Sequence, residues 1–270
     1  MTPQPPSSRR RPVIAVIAVV VLAVAIAGAW YLFLRPAGPA PVSLGTAAPT
    51  VTAPVAEPTG GPATTGPTAA ATEAAPGSSQ DPATGGTISG TWTVDPSVGS
   101  FDDFSGTFVG YRVKETLASI GATEAVGRTP DVTGSMTVDG STITAAEFTA
   151  DLTGLRSDND RRDGQLRRQA LETEQFPTAT FVLTEPVDLA SEPAEGATVA
   201  ATARGDLTLH GVTKAVEIPL QARLQGGVVT VAGSLPIMFA DYAIAKPESM
   251  MVLSVEDGGT LEVQLQLTKG

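Results

Sequence analysis

Near the end of the chain Leu261, Val263, Leu265 and Leu267 alternate with Glu262, Gln264 and Gln266. Successive side chains of a strand point to opposite faces, so this run sets one face on a core and the other in water. The same period of two recurs back to about Thr91, in short stretches parted by Gly, Pro, Asp and Asn, and it makes the domain over 91–270 all-β. Trp92 and Val94 share a face of the first stretch, and Phe108 opens a second that carries Val109, Tyr111, Val113 and Leu117. Residues 134–138 and 142–152 flank Asp139-Gly140, a pair tolerant of positive φ that predicts a tight hairpin. Strands over 199–209 and 215–224 bracket His210 to Lys214, and a strand over 228–235 follows Gly226-Gly227. Only 161–174 has helical character, with Leu166, Ala170 and Leu171 on one side. About eight antiparallel strands and one short helix fit a closed barrel or a sandwich equally well by periodicity, and closure removes exposed edges.

The rest of the chain cannot belong to that domain. Residues 13–34 are 22 residues without a charge, enough at about 1.5 Å per residue to cross a hydrocarbon core of roughly 30 Å. A cleaved signal peptide has a shorter apolar region of about 7–15 residues with a small-residue cleavage site behind it. Here Trp30, Tyr31 and Phe33 run into Arg35-Pro36, so the segment reads as an uncleaved single-pass transmembrane helix. Arg9, Arg10 and Arg11 precede it and only Arg35 closely follows, which predicts residues 1–12 in the cytoplasm and everything after the span outside. Residues 35–90 are almost all Ala, Pro, Thr, Gly, Ser and Val, a composition that buries too little surface to order itself and predicts a disordered linker. As a partly extended spacer it would hold the barrel some tens of Å from the membrane, at about 3 Å per residue where locally polyproline-like.

Charge and residue usage exclude several classes of function. Four of the 17 basic and three of the 28 acidic residues precede Thr91, which leaves 13 and 25 and a net charge of −12 on the domain. Such a surface repels nucleic acid. No cysteine occurs, so the exported domain depends on apolar burial without disulfides. The lack of cysteine also removes thiol nucleophiles, and with His210 the only histidine the usual zinc sites have at most one ligand. His210 sits at an expected turn with no Ser or carboxylate partner placed by spacing, so it reads as a turn residue. The run from Asp158 to Gly164 has the acidic start of a calcium loop, but Arg162, Asp163 and Gln169 occupy positions 5, 6 and 12. Ser157-Asp158-Asn159 matches one motif of serine penicillin-recognising enzymes, without the S-x-x-K nucleophile motif that should accompany it. Neither a metal, a cofactor nor a catalytic residue is expected. A hydrolase using Asp158, Asp160 and Asp163 lacks a second, oppositely tuned group. An eight-stranded barrel is just wide enough to be filled by side chains or to hold one slim ligand. Ala146, Ala150, Ala201, Ala203, Ala222, Ala232 and Gly233 either leave room in a lumen or accommodate strand curvature.

The ordered motifs resemble the YceI family, lipocalin-like barrels regarded as polyisoprenoid-binding, and in particular its membrane-anchored actinobacterial members. They are Trp92-Thr93-Val94-Asp95, Gly110 to Glu115, Gly127-Arg128-Thr129 through Val132-Thr133-Gly134, and Leu155-Arg156-Ser157-Asp158 leading to Arg162-Asp163. Phe176-Pro177-Thr178-Ala179-Thr180-Phe181 and Gly205 to Lys214 complete the string. The family's His-Ser pair after the first Asp is replaced by Pro96 to Ser100, so no role of that histidine carries over. The resemblance implies a lipocalin-like antiparallel barrel that binds an isoprenoid, quinone-like or fatty amphiphile without chemistry. Phe108, Tyr111, Val113, Phe148, Phe181 and Phe239, the large apolar residues of the expected strands, are the candidates to line or close the lumen. Arg162 and Asp163, which match a family signature, are expected to pair and fix the loop before the helix, with headgroup contact as the alternative. A solid barrel serving as a structural or interaction module of the cell envelope is the rival expectation.

Overall fold

In the computed structural model, residues 39–44, 88–118, 121–246 and 252–270 are described; the expected membrane span and most of the linker lie outside them. The strands are β1 (Gly90–Val94), β2 (Phe108–Leu117), β3 (Gly121–Thr129), β4 (Val132–Asp139), β5 (Thr142–Asp151), β6 (Arg156–Ser157), β7 (Thr178–Leu183), β8 (Val187–Asp188), β9 (Thr198–Leu209), β10 (Val212–Gln225), β11 (Val228–Met238), β12 (Val252–Val255) and β13 (Gly258–Lys269). Helix α1 (Asp160–Gln165) runs into a π-helical turn at Leu166–Ala170.

Every pairing among these strands is antiparallel. Following neighbours from β1 through β4, β5, β7, β9, β10, β11 and β13 returns to β1, so eight strands close a ring. Periodicity left barrel and sandwich open; the β1–β13 pairing decides for the barrel. The ring is also split along one seam. The C-terminal end of β13 pairs with β1 through Leu267, Thr268 and Lys269, while Thr260 to Gln264 pair with β2. β2 carries β3 and β6 away from the ring, and β12 pairs with its C-terminal part at Glu115, Thr116 and Leu117. Between this branch and the ring sits α1 with its π turn, where Leu171 N–H donates to Leu166 O at 2.8 Å.

Turn chemistry sets the register. At β9–β10 only His210 and Gly211 lie outside the strands, with φ of 51° and 73°. That two-residue turn with both φ positive matches the strand twist and is shorter than the five-residue connection expected. At β4–β5, Asp139 pairs with Thr142 and the turn residues are Gly140 and Ser141, one position later than expected, with Gly140 at φ 58°. Expected strand boundaries elsewhere extend: β11 runs to Met238, and the core takes in Ile88, 7 % exposed, whose carbonyl accepts from Trp92 Nε1 at 2.7 Å.

The outer face of β13 is not wet. Glu262 is 2 % and Gln266 6 % exposed, the first beneath Arg112 and Arg128 and the second beneath the loop between β1 and β2. Gln264 Nε2 donates to the carbonyls of Phe104 and Gly106, and Gln266 Nε2 to that of Ser105, each at 2.8 Å. Glu262 accepts from Arg112 Nε at 3.1 Å and Arg128 Nη2 at 2.9 Å, so the buried charge is paired. The period of two was read correctly, but the loop's cover was invisible to it.

Candidate ligand-binding lumen

Inside the ring, alternate residues of all eight strands point inward and leave a cavity of about 200 Å³. Its lining is aliphatic and aromatic apart from Thr180, Arg223 and Glu262, each of which alternation places outward between two inward neighbours. Of the small residues singled out from sequence, Ala146, Ala150, Ala201, Ala203 and Ala222 line it, whereas Ala232 and Gly233 do not. Two large rings in this wall are turned along it. Gly205 stands beside Phe181, whose ring carbons lie 2.6 and 2.7 Å from where a β-carbon would be, and Gly134 stands opposite Phe148 at 2.8 Å. Each phenyl group covers a neighbouring glycine, as aromatic side chains do across strands, so the rings coat the wall and leave the centre open.

A second cavity of about 410 Å³ adjoins the first between β2, the end of β9, the end of β11 and α1. The two share Val109, Ala179, Leu207 and Leu261 as lining, which makes them chambers of one lumen. The split of β13 between β1 and β2 produces this side chamber. Leu166, Ala170 and Leu171 face it, which is the single apolar side read from the helical stretch. The helix itself starts at Asp160 and ends earlier than expected, at Ala170.

One wall of the side chamber is polar. Glu115, 8 % exposed, accepts from Arg162 Nη2 at 2.8 Å, and Arg162 Nη1 donates to Asp158 Oδ1 at 2.5 Å. Arg162 and Asp163 therefore do not pair with each other as expected. Asp163 turns back instead to accept from Ser157 N–H at 3.0 Å and Ser157 Oγ at 2.6 Å, while Asn159 caps α1 by accepting from Arg161 and Arg162 N–H. These bonds explain the acidic run from Asp158 to Asp163 as helix-start architecture. Beside them the Tyr111 hydroxyl is buried without a hydrogen-bond partner in the protein. The nearby Ser157 hydroxyl donates to Asp163 and accepts from Asn159 N–H. Burial pushes the Tyr111 phenol well above its ordinary value, and the charge of Arg162 offsets only part of that.

Of the six lining candidates, Phe148 and Phe181 face the first chamber, and Tyr111, Val113 and Phe239 face the second. Phe108 faces neither. It points out of the barrel, 2 % exposed, with the Arg128 guanidinium 4.2 Å from its ring centroid and Phe104 edge-on at 5.9 Å. Its neighbour Val109 takes the inward position, one step along the period of two. Sequence reasoning also missed Glu115 as a lumen wall beside Arg162, since an alternating charged residue on β2 reads as solvent-facing until α1 is folded over it. His210 is at the turn as expected but is 7 % exposed, between Tyr242 O and Glu172 Oε2, both at 3.0 Å, with the Phe176 ring 4.5 Å away. Its carboxylate partner comes from the far end of the helical segment, beyond the reach of local spacing.

The family described as the YceI-like domain matches residues 92–267. No curated protein matches the chain. Among solved structures, a polyisoprenoid binding domain from Saccharophagus degradans, implicated in plant cell wall breakdown, is 20 % identical at a TM-score of 0.51 and covers 66 % of this chain and 98 % of that one. BcnA of Burkholderia cenocepacia is 19 % identical at a TM-score of 0.45, covering 59 % and 95 %. The YceI protein of Campylobacter jejuni is 18 % identical at 0.43, covering 53 % and 85 %.

Proposed function

This chain belongs to the YceI-like domain family, and from that premise we propose that it is a non-enzymatic binding protein for one long-chain amphiphile of isoprenoid type, displayed outside the cell membrane on an N-terminal helix over 13–34. The observation that carries the reading is the two-chamber lumen, predominantly apolar in one part and polar along one wall of the other. The solved domain from Saccharophagus degradans, described as polyisoprenoid binding, supports the ligand class. Together the chambers hold on the order of 600 Å³, inside the roughly 300–1,000 Å³ of small-molecule sites. A lumen of this size also counts against the solid-barrel alternative.

The chemistry orients the ligand. An apolar tail in the first chamber gains about 0.3 kcal/mol per non-hydrogen atom, so ten carbons give about 3 kcal/mol. The head belongs in the side chamber, where the Tyr111 hydroxyl is free to donate. Arg162 is already balanced by Glu115 and Asp158, so the wall favours a neutral carbonyl or hydroxyl head over a phosphate. A quinone-like head fits these groups. Purifying the full chain from membranes and extracting its lipid for mass spectrometry tests the reading. A stoichiometric isoprenoid with a neutral head is expected; repeated recovery without lipid, or with a prenyl phosphate, would overturn it in whole or in the head assignment.

A further inference from the structure

Residues 39–44 fall in the stretch whose composition predicts a disordered linker, yet Pro41 onward belongs to the same compact unit as the barrel. Val42 N–H donates to Glu262 Oε1 at 3.2 Å and Leu44 N–H to Gln221 Oε1 at 3.1 Å. Val42 and Leu44 are half-buried, whereas Pro41 and Ser43 are exposed. This is the alternation of an extended segment with one face on a surface.

The surface is the outside of the barrel. Gln221 lies between Leu220 and Ala222, and Glu262 between Leu261 and Val263, all four of which line the first chamber, so both acceptors come from outward positions. Gln221 is on β10 and Glu262 on β13, with β11 between them. Gln221 pairs with Ala232 and Glu262 with Ser234, so the two acceptors lie two strands apart and two residues out of level, about 12 Å against about 7 Å for two residues of extended chain, a difference that the Glu and Gln side chains cover. On the β11 side of that path, the residue paired with Gln221 is Ala232, outward-facing by alternation and only 2 % exposed. An alanine there lets a backbone cross closely. Glu262 is held in place by Arg112 and Arg128 before the segment arrives, so one acceptor is already oriented.

We propose that residues 41–44 are a docking strap that fastens the chain to the outer face of β10, β11 and β13. The consequence concerns reach, and it rests on the proposed membrane helix over 13–34. Only the seven residues 35–41 separate that segment from the docked Val42, at most about 25 Å of extended chain. The 43 residues 45–87 join two points of one barrel, so they add nothing to the distance between membrane and barrel. The length of the Pro-rich region therefore does not set the reach between span and barrel; the seven residues 35–41 do.

Hydrogen exchange on the full chain in nanodiscs, read residue by residue, tests the strap. The amides of Val42 and Leu44 should exchange on the order of tenfold or more slowly than those of 45–87. Val42→Pro combined with Leu44→Pro removes both donors without touching the barrel, and Gln221→Ala removes one acceptor where Glu262→Gln could unfold the protein. Either should release the segment while the amides of β9 and β10 stay protected. Because the chain has no cysteine, a fluorophore on Gln225→Cys can report distance to labelled lipid, which should lengthen in the double-proline variant. Unprotected amides at 42 and 44 in a disc-bound protein overturn the strap, as does protection that grows with protein concentration, which would mean docking between copies. Protection that persists in a protein failing to stay on the discs leaves the strap standing and overturns the anchor and the reach drawn from it.

Discussion

The ring of Tyr111 lies over Gly127, its register partner on β3, and fills the place a β-carbon would take there. With Phe181 over Gly205 and Phe148 beside Gly134, this makes three aromatic residues of the lumen wall that are turned aside by a glycine. The lumen's openness thus depends on residues that have no side chain. Gly127→Ala should force the Tyr111 ring toward the side chamber, with an overpacking cost of about 1–3 kcal/mol. A urea titration would show it as a lowered midpoint at unchanged slope, together with less co-purifying lipid. An unchanged midpoint would mean that the ring has another place to go.

Tyr111→Phe separates the ring from its hydroxyl. A buried hydroxyl with no partner costs about 1–3 kcal/mol of desolvation, so its removal should leave the lipid-free barrel equally or more stable. If the hydroxyl donates to a neutral head, the same variant should weaken binding of a quinone-like ligand about tenfold, for a hydrogen bond worth on the order of 1.4 kcal/mol. Isothermal titration with a soluble quinone analogue against both proteins measures it. Equal affinity would remove Tyr111 from the head site.

The same phenol gives a signed pH dependence. Burial raises Tyr111, and burial followed by the nearby Asp241 charge raises Tyr242, so both stay neutral in the folded protein above the pH at which they ionise once unfolded. Unfolded phenols ionise at about pH 10. Below that the two states bind the same phenolic protons and these groups add no slope; above it the unfolded state binds fewer, and stability falls as pH rises. Thermal unfolding from pH 8 to 11.5 should therefore show a flat region up to about 9.5 and a decline beyond it, shallower in Tyr111→Phe. Identical declines in the two proteins would place the alkaline loss on other groups.

The strands were legible in the sequence because their signal is local, whereas the closure of the ring rests on the long-range pairing of β1 with β13. Leu261, Val263 and Leu265 announce one inward face by spacing alone, and His210-Gly211 and Gly140 mark turns by their tolerance of positive φ. What escaped depends on contacts far apart in the chain. Phe108 was expected in the lumen because a large apolar residue at a strand start wants burial; it is buried, but under Phe104 and Arg128 on the other side. Period-two reasoning fixes which residues share a face and leaves open which face the fold turns inward until a covering loop is known. Glu115 and Arg162 meet across 47 positions, and neither residue's neighbours hint at the other. The strap was hidden for a different reason, since it docks through backbone N–H groups and composition carries no record of those.

The division of labour between the chambers can be tested by filling one of them. Ala201 lines the first chamber on β9, paired with Leu220 on β10, which lines it too. Ala201→Phe places a phenyl group in the tail space, and because the site borders a cavity the cost should stay within about 1–3 kcal/mol. Its effect on binding should grow with tail length. A quinone analogue with a methyl in place of the tail should bind the variant and the parent alike through the side chamber, while one with two or three isoprene units should lose most of its advantage, at about 0.3 kcal/mol per displaced carbon. Titrating such a series against both proteins reads the slope of binding free energy with carbon number. Parallel slopes would put the tail outside the ring, and a loss already complete for the tail-less analogue would put the head there.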